Sequence, residues 1–255
     1  MPYSDIADIL GFTERQIRGW INNHCCKKNR VFNANYFDCI DSPVKAYFLG
    51  LIYADGWISA HKRKETGTYA YEFGIQLQRN DRYLLDLLNS ELGGVHKIED
   101  TEANFVIADN KYPSHVLSSV LRIYSKRLVM SLMNHHITTD KTYSNLFPVV
   151  DDSLFIYFIK GYFDGDGCVS ANKYGKPVIH FTAFGDEFLL YVQKKLDELY
   201  NIKSSIYAEN DRKHRLMIFR NDDVCRFYDV LYADNCNVQL KRKYDKYSTL
   251  LGLSA

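Results

Sequence analysis

Two aspartates occur in matching surroundings 111 residues apart. Asp55 closes an apolar run in YFLGLIYADGWIS, and Asp166 closes another in FIKGYFDGDGCVS. Each run predicts a buried helix that ends at the following glycine, with the acid on its last turn. A carboxylate at a helix C-terminus is disfavoured by the helix dipole, and two neighbouring carboxylates repel. A divalent cation would compensate, and Mg²⁺ suits a site of few carboxylates, backbone carbonyls and retained waters.

Small residues precede each acid at intervals of four. They are Ala46, Gly50 and Ala54 in the first run and Gly161 and Gly165 in the second. Such spacing lines one face of a helix and lets two backbones approach closely. We therefore predict that the two helices pack against each other and that their acidic ends emerge together.

Two simpler interpretations of the acids remain open. Asp-Gly is a common turn pair, so either acid alone could be a turn residue. The DGDG stretch from Asp164 to Gly167 suggests a calcium loop, but the third ligand and the distal Glu of such a loop are missing. A turn needs no matching stripe of small residues before it, so the duplication favours a functional pair.

The elements around the acids must form two similar units. Apolar periodicity and turn residues predict the order helix, hairpin, helix, hairpin, helix twice, which indicates an α+β fold of two αββαββα repeats. We place the first repeat at residues 41–147 and the second at 148–255. Residues 1–40 form a helical N-terminal segment and connector. That segment resembles a helix-turn-helix, or else a plain helical hairpin, and its second helix would offer Arg15, Gln16, Arg18 and Asn22 to DNA.

Composition excludes several classes of protein. The net charge of +1 gives no global basic field, although short basic clusters occur. The six cysteines form no CxxC pair, so zinc binding is not expected and the thiols are expected to be reduced. Since no signal peptide or membrane-spanning run is apparent, we expect a cytoplasmic, DNA-associated protein, and an organellar or phage-encoded origin remains open.

The stretches FLGLIYADG and IKGYFDGDG resemble the two motifs of single-chain LAGLIDADG homing endonucleases, and the C-terminal QLKRKYDKY is also typical of them. The resemblance covers roughly residue 41 to the C-terminus. It implies two four-stranded antiparallel sheets that form a saddle over double-stranded DNA, with the motif helices between the halves. Asp55 and Asp166 would bind the metal ions that cleave one strand each, helped by the carbonyls of Ala54 and Gly165.

The sequence departs from the usual motif at three positions. The second position is Leu49 in one copy and Lys160 in the other, where a small residue is usual, and the sixth is Tyr53 in the first copy, where an acid is common. None of these changes removes a metal-binding acid. They concern the packing of the motif helices.

Further catalytic and DNA-binding residues follow from the predicted strands and from the resemblance. Gln76 and Thr182 fall on the polar sides of two corresponding strands and are candidates for ordering water, with a plain strand-surface role as the alternative. Arg122 and Arg215 are the expected basic residues near each centre. The candidates for DNA contact are Lys62, Arg63, Lys64, Gln78, Arg79, Lys141, Lys173, Lys176, His180, Arg212, Lys213 and Lys243.

Together these features predict a monomeric, sequence-specific, Mg²⁺-dependent double-strand DNA endonuclease that acts in homing. Mn²⁺ could replace Mg²⁺, and Ca²⁺ could replace it for binding. The alternatives are a non-cleaving DNA-binding regulator or an intron RNA maturase on the same fold. A structural repeat protein without nucleic-acid function is the remaining class.

Overall fold

A computed structural model describes residues 13–14, 31–64, 67–105, 114–139, 146–210, 213–233 and 238–253. The first repeat consists of α1 (Pro43–Asp55), β1 (Gly56–Lys62), β2 (Tyr69–Gln78), a 3₁₀ turn (Arg79–Asp81), α2 (Arg82–Glu91), β3 (Ile98–Phe105), β4 (Ser114–Ile123) and α3 (Lys126–Asn134). The second consists of α4 (Phe155–Asp166), β5 (Gly167–Ala171), β6 (Pro177–Phe184), α5 (Glu187–Tyr200), β7 (Ser205–Ala208), β8 (Lys213–Ile218) and α6 (Asn221–Tyr232). A last helix, α7 (Lys241–Leu250), follows.

The predicted fold class is confirmed. Each repeat runs αββαββα, and each forms one antiparallel sheet, with strand orders β1-β2-β4-β3 and β5-β6-β8-β7. The predicted helix-turn-helix falls in residues 1–30, which lie outside the described residues apart from positions 13 and 14. Helix α7 was not among the predicted elements, and the described residues of the first repeat contain no corresponding helix. No helix in the described ranges is both long and apolar enough to cross a bilayer.

The two motif helices α1 and α4 pack directly on each other, as their small residues predict. A Cβ added at Gly50 would lie 2.0 Å from the carbonyl oxygen of Phe158, and one at Gly161 would lie 1.9 Å from that of Tyr47. The backbones therefore meet at both glycines, which leaves no room for a side chain. This helix pair joins the two repeats.

The ends of the motif helices are set by local chemistry. Ser42 accepts a hydrogen bond from the backbone N–H of Lys45, and Pro43 occupies the first turn, so α1 begins where the sequence predicts. Gly56 and Gly167 have extended backbones, and each starts the first strand of its sheet. Each acid is consequently the last helical residue before a strand.

Alternation along the strands separates a buried face from an open one. In β2, Phe73, Ile75 and Leu77 are buried, whereas Gln76 and Gln78 point to the other side and are exposed. The helices that follow the strands pack on the buried face of each sheet. The open face of each sheet therefore carries the polar candidates.

Candidate functional site

The packed helices bring the two acids to one end of the interface. A Cβ added at Gly165 would lie 2.3 Å from Ala54 Cβ and 3.0 Å from Asp55 Oδ2. The Asp55 carboxylate thus lies against the residue next to Asp166. Asp55 is half-buried and Asp166 is exposed. Burial raises the pKa of Tyr162, and the charges of Asp166 and Asp55 raise it further. Both carboxylates therefore influence the same hydroxyl group.

Lys243 of α7 closes the C-terminal end of α4. Its Nζ donates to the carbonyl oxygens of Phe163, Asp164 and Gly165 at 2.5, 2.7 and 3.1 Å. Burial lowers the pKa of Lys243 to about 8, while the charges of Asp164, Asp55 and Asp166 oppose that shift. The prediction that Lys243 contacts a DNA phosphate does not fit this position, because the ammonium is buried and turned toward the protein.

Asp164 is buried beside this lysine. Its Oδ2 accepts from Tyr47 Oη at 2.7 Å and from the backbone N–H of Leu240 at 2.7 Å. Its Oδ1 is buried and has no hydrogen-bond partner among the described residues. Burial raises the pKa of Asp164 to about 6, against the opposing effects of these hydrogen bonds and of Lys243 and Lys160. The carboxylate therefore ties α4 both to α1 and to the segment before α7.

The corresponding position in the first repeat is Tyr53. Its ring lies 5.1 to 6.3 Å from the rings of Phe158, Tyr162 and Phe188. Burial raises the pKa of the Tyr53 hydroxyl, and the Asp166 charge adds to that shift. Tyr53 departs from the usual motif, in which an acid is common at this position. The first repeat thus has an aromatic cluster where the second repeat has the ionic network of Asp164.

The water-ordering candidates occupy equivalent places in the two sheets. Gly56, the first residue of β1, pairs with Ile75, and Gly167, the first residue of β5, pairs with Phe181. Gln76 and Thr182 directly follow these two paired residues, so they occupy equivalent positions on β2 and β6. Gln76 Nε2 donates to Ser118 Oγ at 2.8 Å on the open face.

Thr182 borders a cavity on the second side of the site. The cavity has a volume of about 420 Å³, and its lining includes Asp166, Tyr53 and Lys213. Thr182 therefore shares a solvent-filled space with the second acid.

The two arginine candidates are not equivalent. Arg122 lies opposite Gly74 and its Nε is 3.8 Å from Glu72 Oε1, whereas Arg215 lies opposite Thr182 and is paired with Glu209. Each guanidinium thus has a carboxylate neighbour on the sheet.

The remaining DNA-contact candidates divide by position. Lys62, Arg63 and Lys64 are exposed at the first hairpin turn, and Lys173 and Lys176 are exposed at the matching turn of the second repeat. Gln78 is exposed, Arg79 pairs with Glu102 at 3.3 Å, Lys213 pairs with Glu209 at 3.0 Å, and His180 is half-buried with a pKa lowered mainly by burial. Lys141 and Arg212 lie outside the described residues.

The acids can hold a cation only with additional ligands. Among the described residues no group of three or more His, Cys, Asp or Glu side chains is placed to bind a metal ion. Mg²⁺ commonly completes its coordination with waters and substrate phosphates, so two carboxylates fit such an ion. The Gly165 carbonyl fits less well than predicted, because it already accepts from the Lys243 ammonium, which repels a second cation.

Sequence reasoning missed Trp57. A Cβ added at Gly74 would lie 2.1 Å from the indole of Trp57, which therefore covers that glycine on the open face, two residues from Asp55. The sequence does carry a signal, since a glycine inside a strand marks a close approach by another group. The roles of Asp164 and of α7 were also missed, and no local pattern identifies them.

Comparison with known proteins identifies the class. Residues 155–232, which span the second repeat from α4 to α6, match the model of the LAGLIDADG-like domain. The resemblance found in the sequence is confirmed: the second repeat matches the LAGLIDADG-like domain, and the chain has the two-repeat fold of LAGLIDADG homing endonucleases.

One relative and two solved structures are similar to most of the chain. The Methanocaldococcus jannaschii protein MJ0398, which is described as uncharacterized, is 26% identical over 98% of this chain and 88% of its own length. I-DmoI, solved in complex with DNA and Ca, matches with a TM-score of 0.54 and 21% identity, over 82% of this chain and 97% of that one. I-SmaMI, solved with an uncleaved DNA target and calcium ions, matches with a TM-score of 0.53 and 14% identity, over 83% of this chain and 90% of that one.

Proposed function

We propose that this protein is a sequence-specific double-strand DNA endonuclease that uses divalent metal ions. The observation that carries the proposal is that Asp55 and Asp166 end a tightly packed helix pair, each directly before the first strand of its sheet. The fold shared with I-DmoI and I-SmaMI, both solved on DNA, supports it. Two acids related by a pseudo-twofold axis suit the cleavage of two antiparallel strands.

Asp55 and Asp166 would hold the metal, with the Ala54 carbonyl as a further ligand. A cation bound there supplies Lewis-acid activation of the phosphodiester and of a water molecule. We propose Mg²⁺ as the resident ion. Mn²⁺ is a possible replacement, since a structure of I-DmoI was solved with Mn.

Polar side chains of the sheets would orient the reacting groups. Gln76 and Thr182 can hydrogen-bond an attacking water from equivalent positions on β2 and β6. Arg122 and Arg215 can neutralise charge on the phosphate, once DNA competes with their carboxylate neighbours Glu72 and Glu209. Trp57 adds an apolar surface beside the first acid.

DNA would lie across the open faces of both sheets. The exposed cations of the two hairpin turns, Lys62 to Lys64 and Lys173 with Lys176, would contact phosphates, while side chains on the strands read base edges in the major groove. One chain carries both centres, so it would act as a monomer. The two repeats differ in sequence, so the target need not be palindromic.

A cleavage assay tests the proposal. The protein is incubated with Mg²⁺ and a randomised or host-locus DNA library, and the new ends are sequenced. We expect discrete double-strand cuts that EDTA abolishes. Asp55→Asn or Asp166→Asn alone should reduce cleavage of one strand by a large factor and leave DNA affinity nearly unchanged.

The control is Asp151→Asn, which removes an exposed acid that precedes the N-terminal end of α4. Normal cleavage by Asp55→Asn or by Asp166→Asn would refute the metal assignment. DNA binding without any cut would identify a regulator, and binding to intron RNA would identify a maturase. A reading frame located inside an intron, an intein or a phage gene would support homing and settle where the protein acts.

A further inference from the structure

Residues 239–243, which we call the clamp segment, are held by the first repeat although they belong to the second. Tyr83 Oη, at the start of α2, donates to the Gln239 carbonyl at 2.7 Å and accepts from the Lys241 N–H at 2.8 Å. Arg242 Nε donates to Asp81 Oδ2 at 2.9 Å. Asp81 is only 3% exposed, so this ion pair is sheltered on the carboxylate side.

The same five residues reach the end of α4. The Leu240 N–H donates to Asp164, and the Lys243 ammonium donates to the carbonyls of the last turn before Asp166. Residues 239, 241 and 242 therefore contact the first repeat, and residues 240 and 243 contact α4. Because these contacts lie within five consecutive residues, a shift of the segment relative to one repeat also changes its contacts with the other.

We propose that Tyr83, Asp81 and Arg242 are positioning residues through which the first repeat sets the geometry of the second acid, Asp166. The inference rests on the proposed endonuclease function. Asp81 and Tyr83 lie three and five residues after Gln78, the last residue of β2. The residues that hold the clamp segment therefore follow directly on a strand that we propose to face DNA. The clamp segment leads into α7, which follows the second repeat, and the described residues show no corresponding helix behind Asp55.

The experiment compares the rates at which the two strands are cut. Tyr83→Phe keeps the ring and removes both hydrogen bonds, and Arg242→Met removes the ion pair. Each variant is incubated with supercoiled target plasmid and Mg²⁺, and the nick is mapped against those left by Asp55→Asn and Asp166→Asn. We expect nicked circles to accumulate, with the strand assigned to Asp166 slowed about tenfold to a hundredfold relative to the other.

The strand ratio separates positioning from folding. Both centres reside in one chain, so global unfolding of a fraction of the molecules slows both strands alike and leaves the ratio unchanged. Arg242→Lys should restore much of the ratio because it keeps the charge. The matched control is Lys195→Met, which removes another inter-element ion pair, with Asp152 at 2.6 Å, away from α7. That control should cut both strands at the wild-type ratio.

An unchanged strand ratio in both Tyr83→Phe and Arg242→Met, with wild-type cleavage intact, overturns the inference. A wild type that cuts nothing overturns the proposed function instead, and hydrogen exchange then decides about the clamp segment. We expect the amides of Leu240 and Gly167 to exchange about tenfold faster in Tyr83→Phe. Equal exchange in variant and wild type would show that the first repeat does not hold this segment.

Discussion

The two motif helices share one interface and differ in what supports their C-terminal ends. Gly50 in α1 and Gly161 in α4 meet the opposite backbone at nearly the same distance, 2.0 and 1.9 Å from the added Cβ. Near its C-terminal end, α1 packs Tyr53 against aromatic rings of α4 and α5, whereas α4 is held by its buried Asp164 and by Lys243. The surface that both helices must share has stayed symmetric, while the surroundings of each end have diverged.

This difference predicts different sensitivities for the two centres. Aromatic packing depends on shape and area, so the first centre should respond to changes of volume. A buried ionic network depends on charge balance, so the second should respond to loss of one partner. The following changes are ordered from the largest expected effect to the smallest.

Gly161→Ala should have the largest effect. The new Cβ would lie 1.9 Å from the Tyr47 carbonyl oxygen and 2.8 Å from the Leu51 nitrogen, and backbone atoms cannot rotate away. We expect the free energy of unfolding to fall by at least roughly 4 kcal/mol, enough to unfold a marginally stable domain. Urea denaturation followed by circular dichroism measures it. Gly50→Ala should do the same, and tolerance of only one of them would show that the interface is not symmetric.

The control for this pair is Gly175→Ala in the β5–β6 turn. Its added Cβ meets nothing within 4 Å, but its φ of +76° strains a side chain. That change should lower stability by only about 1 kcal/mol. A larger loss at Gly175 than at Gly161 would contradict close helix packing as the cause.

Lys243→Met should destabilise the second end selectively. The change removes three hydrogen bonds to α4 and leaves Asp164 buried without its nearest cation, which should lower the free energy of unfolding by about 3 kcal/mol. In the double variant with Asp164→Asn, the carboxylate that Lys243 compensates is gone, so part of the loss should return. Strict additivity of the two changes in denaturation would refute the coupling.

Asp164→Asn should change how stability depends on pH. The pKa of Asp164 is about 6 in the folded chain, above its ordinary value of 3.8, so the folded state binds the proton more tightly. Its contribution is therefore present at low pH and is lost as pH rises from about 4 through 6, on the order of 2 to 3 kcal/mol in all. Relative to wild type, the variant should gain stability over that range in EDTA. Parallel curves would show that Asp164 titrates normally.

The sequence predicted the part of this architecture that repeats. The pattern occurs twice, so Gly50, Gly161 and the two acids could be recognised as functional positions. A residue type that recurs at the corresponding place in both copies is unlike an isolated turn residue. Strand alternation assigned Gln76 and Thr182 to the polar sides of their strands. Periodicity and turn residues gave the two αββαββα units.

What the sequence could not predict occurs once or acts across the repeats. Lys243 looked like a member of a surface basic cluster, and only the fold shows that α7 returns it to the end of α4. Asp164 begins the DGDG stretch, which suggested a calcium loop, although its carboxylate is a buried link between helices. These contacts join residues about 80 or more positions apart, and no local spacing encodes them.

Arg122→Met should have the smallest effect on stability and a measurable one on DNA binding. The side chain is 49% exposed, and its ion pair with Glu72 is long, at 3.8 Å. Its loss should therefore change the free energy of unfolding by less than about 0.5 kcal/mol. If Arg122 contacts a phosphate, the slope of log affinity against log salt should fall by about one. The counterpart is Arg215→Met, which leaves Glu209 paired with Lys213. Equal slope changes would indicate that both sheets hold the backbone alike, and an unchanged slope for one arginine would place DNA asymmetrically on the two repeats.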